Sequence, residues 1–306
     1  MLTGKTVVLA VTGSIAAYKI ANLARMLKKL HADVQVLMTQ NATNFINPIT
    51  LETLTNQKCL IDTFDRNFQY SVEHVALAKR ADIVLIAPAS ANVIGKLANG
   101  IADDMLTTTI LACPCKKYHN PIVQDNIQKL ERFGYGIIPP ATGMLANGDT
   151  GDGRMPEETV LLEYLLREIA YPKDLAGKKF LISAGATQES LDPVRFLTNH
   201  SSGKMGCALA RAAMQRGAEV TLVAAHMEVA PPPFVKVVRV TSAADMAEAI
   251  LPVAAEYDCI IKAAAVSDYT PVATSTEKIK KADGTLTVSF QRTTDILKTL
   301  GEHKSE

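Results

Sequence analysis

Twice along this chain a short, uninterrupted apolar run leads into a glycine-containing turn and then into an amphipathic helix pattern, a recurrence that limits the fold more than any other feature. Thr6–Val11 breaks at Thr12-Gly13-Ser14, and Ile20, Leu23, Ala24, Leu27 and Leu30 then share one face of a helix over 16–31, with a second apolar run at 34–38. Strands that are apolar at every position are buried on both faces, as in parallel sheets covered by helices. Residues 179–183 repeat the opening pattern, with a helix expected over 206–216 and a strand over 220–224. Further strands are expected at 83–87, 136–138 and 258–265, and helices at 47–55, near 92–97, at 125–133 and at 157–170. Strands alternating with helices give an α/β class with two Rossmann-like domains on parallel sheets. The turn-rich Tyr171-Pro172-Lys173-Asp174-Leu175-Ala176-Gly177 sets the expected boundary, dividing the chain into 1–172 and 173–306.

Composition removes several classes of function. Lys and Arg number 32 against 31 for Asp and Glu, a net charge of +1, so no global field attracts nucleic acid or an anionic membrane. No apolar stretch reaches the roughly 18 residues of a membrane span, and the first run, broken at Thr12, reads as a strand and not as a signal peptide. Five cysteines, an odd number without disulfide-type spacing, point to free thiols and a cytoplasmic protein.

Phosphate chemistry is suggested at a helix start in each half. Asn199-His200-Ser201-Ser202-Gly203-Lys204-Met205-Gly206 sets an amide, two hydroxyls, two glycines and a lysine before an apolar helix pattern. Free N–H groups at a helix start, glycines that admit an anion to the main chain and a lysine point charge together suit phosphate. Taken alone, the segment also suits a polar loop capping a helix. Gly13-Ser14-Ile15-Ala16 takes the equivalent place after the first strand. It lacks the Gly-x-Gly-x-x-Gly fingerprint, and Met38-Thr39 stands where an acidic residue would hold a ribose, which favours a mononucleotide over NAD. Lys278-Ile279-Lys280-Lys281 reads alone as solvated surface. His74 falls in the first turn of a helix expected to be capped by Ser71.

With Asp192-Pro193-Val194-Arg195 before it and the lysine cluster after it, the Asn199 segment resembles the nucleotide site of phosphopantothenate-cysteine ligases. Gly13 to Ala16, Thr39, Ala87-Pro88-Ala89-Ser90-Ala91-Asn92 and Ala98-Asn99-Gly100-Ile101-Ala102-Asp103-Asp104 resemble the FMN site of flavin-dependent cysteine decarboxylases. Together the halves resemble the family of bifunctional coenzyme A biosynthesis proteins. The resemblance implies a flavodoxin-like, FMN-binding phosphopantothenoylcysteine decarboxylase domain followed by a CTP-binding phosphopantothenate-cysteine ligase domain. FMN would be held by Gly13, Ser14, Ile15, Ala16, Thr39, Ser90 and Asn92, with Ser14 on the phosphate and His74 as catalytic base. The implied chemistry oxidises the substrate thiol to a thioaldehyde, releases carbon dioxide from the neighbouring carboxylate and reduces the resulting enethiolate with a hydride from the flavin. In the ligase half, CTP would activate phosphopantothenate as an acyl-cytidylate for attack by the cysteine amino group. CTP binding falls to Ser201, Ser202, Gly203, Lys204, Ala264, Asp268, Lys278, Thr294, Asp295, Ile296 and Leu297, with Asp268 binding Mg²⁺, Lys278 neutralising the triphosphate and Asn199 orienting the acyl-cytidylate. A homo-oligomer is also implied.

The chain departs from the family pattern in several places. Asn147 stands where the family has its proton-donating cysteine; an amide cannot serve as that acid, so oxidation and decarboxylation without efficient final reduction are expected. The family's Pro-Ala-Met-Asn clamp is missing between Cys115 and Asn120, either lost or omitted from the sequence, and Cys113 and Cys115 make poor metal ligands. Family ligase domains continue about another hundred residues beyond the position of Glu306, so the second domain reads as truncated. A catalytically impaired, FMN-binding regulatory protein of the same fold is the alternative, and an NAD(P)-dependent reductase a third reading.

Overall fold

The computed structural model describes residues 2–62, 73–111, 121–144, 150–281 and 285–302, with side chains left undescribed at 73–75, 121–124, 142–144 and 150–153. The chain forms two compact units, Met1–Ala170 and Tyr171–Glu306. The first runs β1 (Thr6–Val11), α1 (Lys19–Lys29), β2 (Asp33–Met38), α2 (Pro48–Thr55), α3 (Glu73–Arg80), β3 (Ile83–Ile86), α4 (Ala91–Ala98), α5 (Met105–Leu111), α6 (Pro121–Arg132), β4 (Ala141–Met144), β5 (Thr150–Arg154) and α7 (Glu158–Ile169).

All six residues of β1 are buried, and the strand is the centre of a parallel sheet ordered β2-β1-β3. Alternate side chains feed two cores. Val7, Leu9 and Val11 pack with Ile20, Leu23 and Leu27 of α1 and with Leu161 and Leu165 of α7. Val8 and Ala10 pack on the other face with Val93, Leu97, Leu106 and Leu130. Each fully buried Leu or Ile contributes about 1.5–3 kcal/mol. Exposed ion pairs such as Lys5–Asp82, at 2.8 Å, contribute about 0–1 kcal/mol, so two-sided burial decides the fold. Local chemistry sets the boundaries: Asn47 Oδ1 accepts from Ile49 N at 3.1 Å to start α2, Pro48 takes the first helical position, and left-handed Asn56 ends the helix.

Residues 136–138, expected as a strand, form none. Ile138 packs into one core and Ile137 into the other, but Pro139-Pro140 follow at once and remove two backbone donors from any ladder. The unit ends instead with β4 and β5 paired antiparallel, ahead of α7.

The second unit runs β6 (Lys179–Ala184), β7 (Gln188–Ser190), β8 (Phe196–Thr198), α8 (Lys204–Gln215), β9 (Glu219–Ala224), β10 (Lys236–Arg239), α9 (Ala243–Ile250), β11 (Cys259–Lys262), β12 (Tyr269–Pro271), β13 (Phe290–Arg292) and α10 (Ile296–Glu302). Its parallel sheet is ordered β10-β9-β6-β11. On β6, Ile182 faces α8 and Leu181 joins Met246, Ile250 and Ile296 in the opposite core. The strand expected over 258–265 is shorter, Cys259–Lys262, and half-buried, because β11 is an edge strand paired only to β6. Two short antiparallel pairs, β7 with β8 and β12 with β13, stand apart from this sheet. No described helix is long and apolar enough to cross a membrane.

Helix α8 lies directly on β6 through Gly206, where an added Cβ would sit 2.5 Å from Ala184 Cβ and 2.8 Å from the Ser183 carbonyl oxygen. Gly206→Ala is therefore expected to destabilise the protein by about 1–3 kcal/mol, seen as a lower urea midpoint at unchanged slope.

Candidate functional site

At the carboxyl end of β1, fully buried Thr12 joins two loops. Its Oγ1 donates to the Pro88 carbonyl at 2.8 Å and accepts from Ser90 N at 2.9 Å. Gly13 backs directly onto Asn41. Ser14 Oγ accepts from Ala16 N at 3.4 Å and opens the one-turn 3-10 helix Ile15–Tyr18. Past the end of β2, Thr39 N donates to the Val11 carbonyl at 3.0 Å, and Thr39 Oγ1 accepts from Ala42 N at 3.2 Å. Ser90 stands at the start of α4 without spending its hydroxyl on the cap, and Asn92 is exposed in the first turn. Gly13, Ser14, Ile15, Ala16, Thr39, Ser90 and Asn92 thus meet at the carboxyl ends of β1, β2 and β3. The start of α4, with no side-chain cap and no acidic residue in its first turn, fits a phosphorylated mononucleotide there.

Asp103 and Asp104 are engaged elsewhere. Lys96 Nζ lies 2.7 Å from Asp103 and 3.3 Å from Asp104, and Asp104 Oδ1 accepts from Thr107 N at 2.7 Å as α5 begins. The hydrogen bond from Lys96 holds the Asp103 carboxyl below its ordinary range. These acids brace 98–104. His74 lies in the first turn of α3, with only its backbone described, and Ser71, Cys113, Cys115, His119 and Asn147 fall outside the described residues.

In the second unit a cavity of about 480 Å³ opens past the end of β11. Its wall contains Ala264, Asp268, Thr294, Asp295, Ile296 and Leu297, all expected from the sequence to bind CTP, together with Ser267 and Tyr269 beside Asp268 and with Lys262, Arg292 and Thr293, to which the sequence assigned no role. Hydroxyls build the wall. Ser183 Oγ, on β6, accepts from Ala263 N and Ala264 N at 3.2 Å each, and Thr187 Oγ1 accepts from Ser267 N at 2.9 Å. Thr293 Oγ1 donates to the Ser267 carbonyl at 2.6 Å, while Asp295 Oδ1 accepts from Lys298 N at 2.9 Å and starts α10. Among the described residues the buried Ser267 Oγ has no hydrogen-bond partner, a donor and acceptor in the cavity wall that suits a polar ligand.

Asn199 reaches this wall from outside, its Nδ2 donating to the Val266 carbonyl at 3.3 Å. Ser201, Ser202, Gly203, Lys204 and Lys278 are not part of the wall. Gly203 opens α8 in the left-handed region, with φ of 75°, and Met227 fills the space beside it: an added Cβ would lie 2.6 Å from Met227 Cγ. Lys278 is exposed. No group of three or more His, Cys, Asp or Glu side chains is arranged for a metal among the described residues.

Lys262 is the least ordinary group in the wall. Its Nζ lies 3.5 Å from Met246 Sδ, a weak acceptor, and burial lowers the amine from its usual 10.5 to about 8 against the opposing pull of Asp295. A charged residue ending an apolar strand at the mouth of a sheet was an available signal in the sequence. Arg292 offered none, since the three-residue β13 is too short for periodicity.

Two family models divide the chain: one described as Flavoprotein matches residues 1–170, and one described as DNA/pantothenate metabolism flavoprotein C-terminal domain matches residues 175–306. Over its whole length the chain is 44% identical to the coenzyme A biosynthesis bifunctional protein CoaBC of Bacillus subtilis, of which it covers 79%. Over 96% of its length it is 41% identical to the protein of the same name from Mycobacterium tuberculosis, covering 73% of it. A solved structure of a PPC decarboxylase mutant complexed with pantothenoylaminoethenethiol matches 53% of this chain and 96% of its own, at 28% identity and a TM-score of 0.46.

The Lys262 environment yields a pH-dependent expectation. Between about pH 8 and the usual lysine value of 10.5 the unfolded chain holds a proton that the folded chain lacks, so the stability cost of this residue shrinks as pH rises through that window. Lys262→Met should raise the urea midpoint at about pH 7, with the gain fading by about pH 10; a gain that is constant with pH would count against a buried ammonium.

Proposed function

The chain belongs to the family of bifunctional coenzyme A biosynthesis proteins, and we propose that its second unit joins phosphopantothenate to cysteine at the expense of CTP while its first unit decarboxylates the phosphopantothenoylcysteine so formed to phosphopantetheine, using FMN. The cavity past β11 carries the reading, because it draws Ala264, Asp268 and Thr294 to Leu297 into about 480 Å³, together with two cations, Lys262 and Arg292. In the ligation the substrate carboxylate attacks the α-phosphorus of CTP and pyrophosphate leaves. The cysteine amine then attacks the acyl carbon and CMP departs. Asp268 is the residue for Mg²⁺, and Lys278 adds charge for the phosphates. Ser201, Ser202, Gly203 and Lys204 offer hydroxyls, main-chain donors and a cation at the start of α8, while Asn199, bonded to Val266, orients the acyl-cytidylate.

In the first unit Gly13, Ser14, Ile15, Ala16, Thr39, Ser90 and Asn92 would hold FMN, which when bound supplies the two-electron oxidant for the thiol and returns the hydride. Ser14 binds the phosphate, and His74 is the base. The relatives carry names of enzymes, which favours catalysis over the regulatory alternative. A cytoplasmic homo-oligomer, acting on phosphopantothenate, cysteine and CTP with no nucleic acid or membrane partner, completes the proposal. It accords with the near-zero net charge and with free Cys59, Cys207 and Cys259.

Purified protein should show flavin absorbance, release pyrophosphate when given CTP and phosphopantothenate, and release CMP once cysteine is added. Because Asn147 replaces the acid of the last reductive step, mass analysis should find the oxidised decarboxylated product, with the saturated thiol recovered in Asn147→Cys. A protein that takes up no FMN and ignores CTP would sink the reading as a whole; a full yield of saturated thiol from the parent chain would sink the role given to position 147.

A further inference from the structure

Asp192 gathers more hydrogen bonds than its own turn requires. Its side chain is 0% exposed, and Oδ1 accepts from Val194 N at 2.8 Å and Arg195 N at 2.7 Å. Oδ2 accepts from Arg195 Nε at 3.0 Å and Nη2 at 2.5 Å. Those four donors, all within three residues, already match the four lone-pair sites of a carboxylate. A fifth comes from far along the chain: Ile279 N donates to Oδ2 at 3.1 Å. Arg195 Nη2 completes the link by donating to the Ile279 carbonyl at 2.7 Å, so one Asp-Arg pair grips both main-chain groups of Ile279. The contact extends upstream, where Ser275 N donates to the Leu191 carbonyl at 3.0 Å and Thr274 Oγ1 to the Ser190 carbonyl at 3.1 Å. Residues 274–279 are thus laid along 190–195 by one main-chain bond and by side-chain bonds from Thr274, Asp192 and Arg195 to main-chain groups.

The gripped residue sits between lysines. Lys278, Lys280 and Lys281 are exposed around half-buried Ile279, and Arg195 adds a fourth positive charge at the junction. Four like charges drive a surface segment apart, and Asp192 is the buried countercharge against them. Its carboxyl is held far below the ordinary range, first by the Arg195 side chain and then by the amides of Val194, Ile279 and Arg195, so it stays ionised at any working pH. A carboxylate needed only to close the 191–195 turn would be satisfied by local donors. The bond to Ile279 instead fixes the direction in which Lys278 leaves the main chain.

We propose that Asp192, acting with Arg195, is the positioning residue of the lysine segment, holding Ile279 so that Lys278 is presented to the phosphates of the nucleotide. The proposal rests on reading Lys278 as a phosphate-binding cation, and the experiment separates the two ideas. Hydrogen exchange of peptides covering 275–281 is followed in the full chain without ligand, alongside CTP-dependent pyrophosphate release, for the parent, Asp192→Asn, Arg195→Met and Lys278→Ala. In Asp192→Asn the Ile279 amide should exchange about tenfold faster, and KM for CTP should rise about tenfold with kcat within twofold, a split that general destabilisation would not produce. Arg195→Met, which keeps the carboxylate, should move both readouts in the same direction by about threefold, and it decides the matter if Asp192→Asn does not fold. Lys278→Ala should leave exchange at 279 unchanged and abolish most pyrophosphate release. Parent-like exchange and KM in a folded Asp192→Asn or, failing that, Arg195→Met overturns the positioning role. Full activity of Lys278→Ala with fast exchange in Asp192→Asn keeps the grip on Ile279 but overturns its purpose.

Discussion

A polar group shut away from water must find a partner, and at the mouth of each sheet that demand fastens one loop to the next. Thr12 bonds the Pro88 carbonyl and Ser90 N in the first unit; in the second, Ser183 takes Ala263 N and Ala264 N, and Thr187 takes Ser267 N. All three hydroxyl residues are fully buried. They sit at or just past the carboxyl end of the central strand, and each bond reaches the segment that follows a neighbouring strand. Leaving one such main-chain donor unpaired costs roughly 1–3 kcal/mol, enough to keep the loops in place before any ligand arrives. The apolar remainder of β1 and β6 supplies the burial that makes these few bonds decisive.

How far the sequence could be read followed from how local the cause was. The strand at 6–11, the helix face of Ile20, Leu23 and Leu27 and the helix over 47–55 are legible because each depends on side chains a few residues apart. The run at 136–138 misled because Ile137 and Ile138 are apolar for a tertiary reason, each filling a different core, while the prolines after them forbid pairing. The arms β7–β8 and β12–β13 escaped notice since three-residue strands carry no period. Lys262 is the charge that ends the apolar run of β11, and the edge position of that strand leaves it half-buried.

The second unit also shows why a catalogue of motifs is not yet a site. Ala264, Asp268 and Thr294 to Leu297 share one cavity, whereas the Ser201 to Lys204 turn and Lys278 stand outside its wall. What connects these parts lies between distant segments: Asn199 to Val266, Thr293 to Ser267, and Asp192 to Ile279. Charge is arranged in the same way. A chain of net charge +1 concentrates Lys262 and Arg292 in one wall and Lys278, Lys280 and Lys281 on one segment, so its positive potential is local and not an overall field.

Met227 occupies the volume that a side chain at position 203 would need, and its sulfur lies 3.7 Å from Cys207 Sγ on the first turn of α8. Three positions scattered over 25 residues of sequence (203 to 227) therefore share one parcel of space. Position 203 is held to glycine twice over, by its left-handed backbone as well as by Met227, so a shorter residue at 227 would make room at 207 without freeing 203.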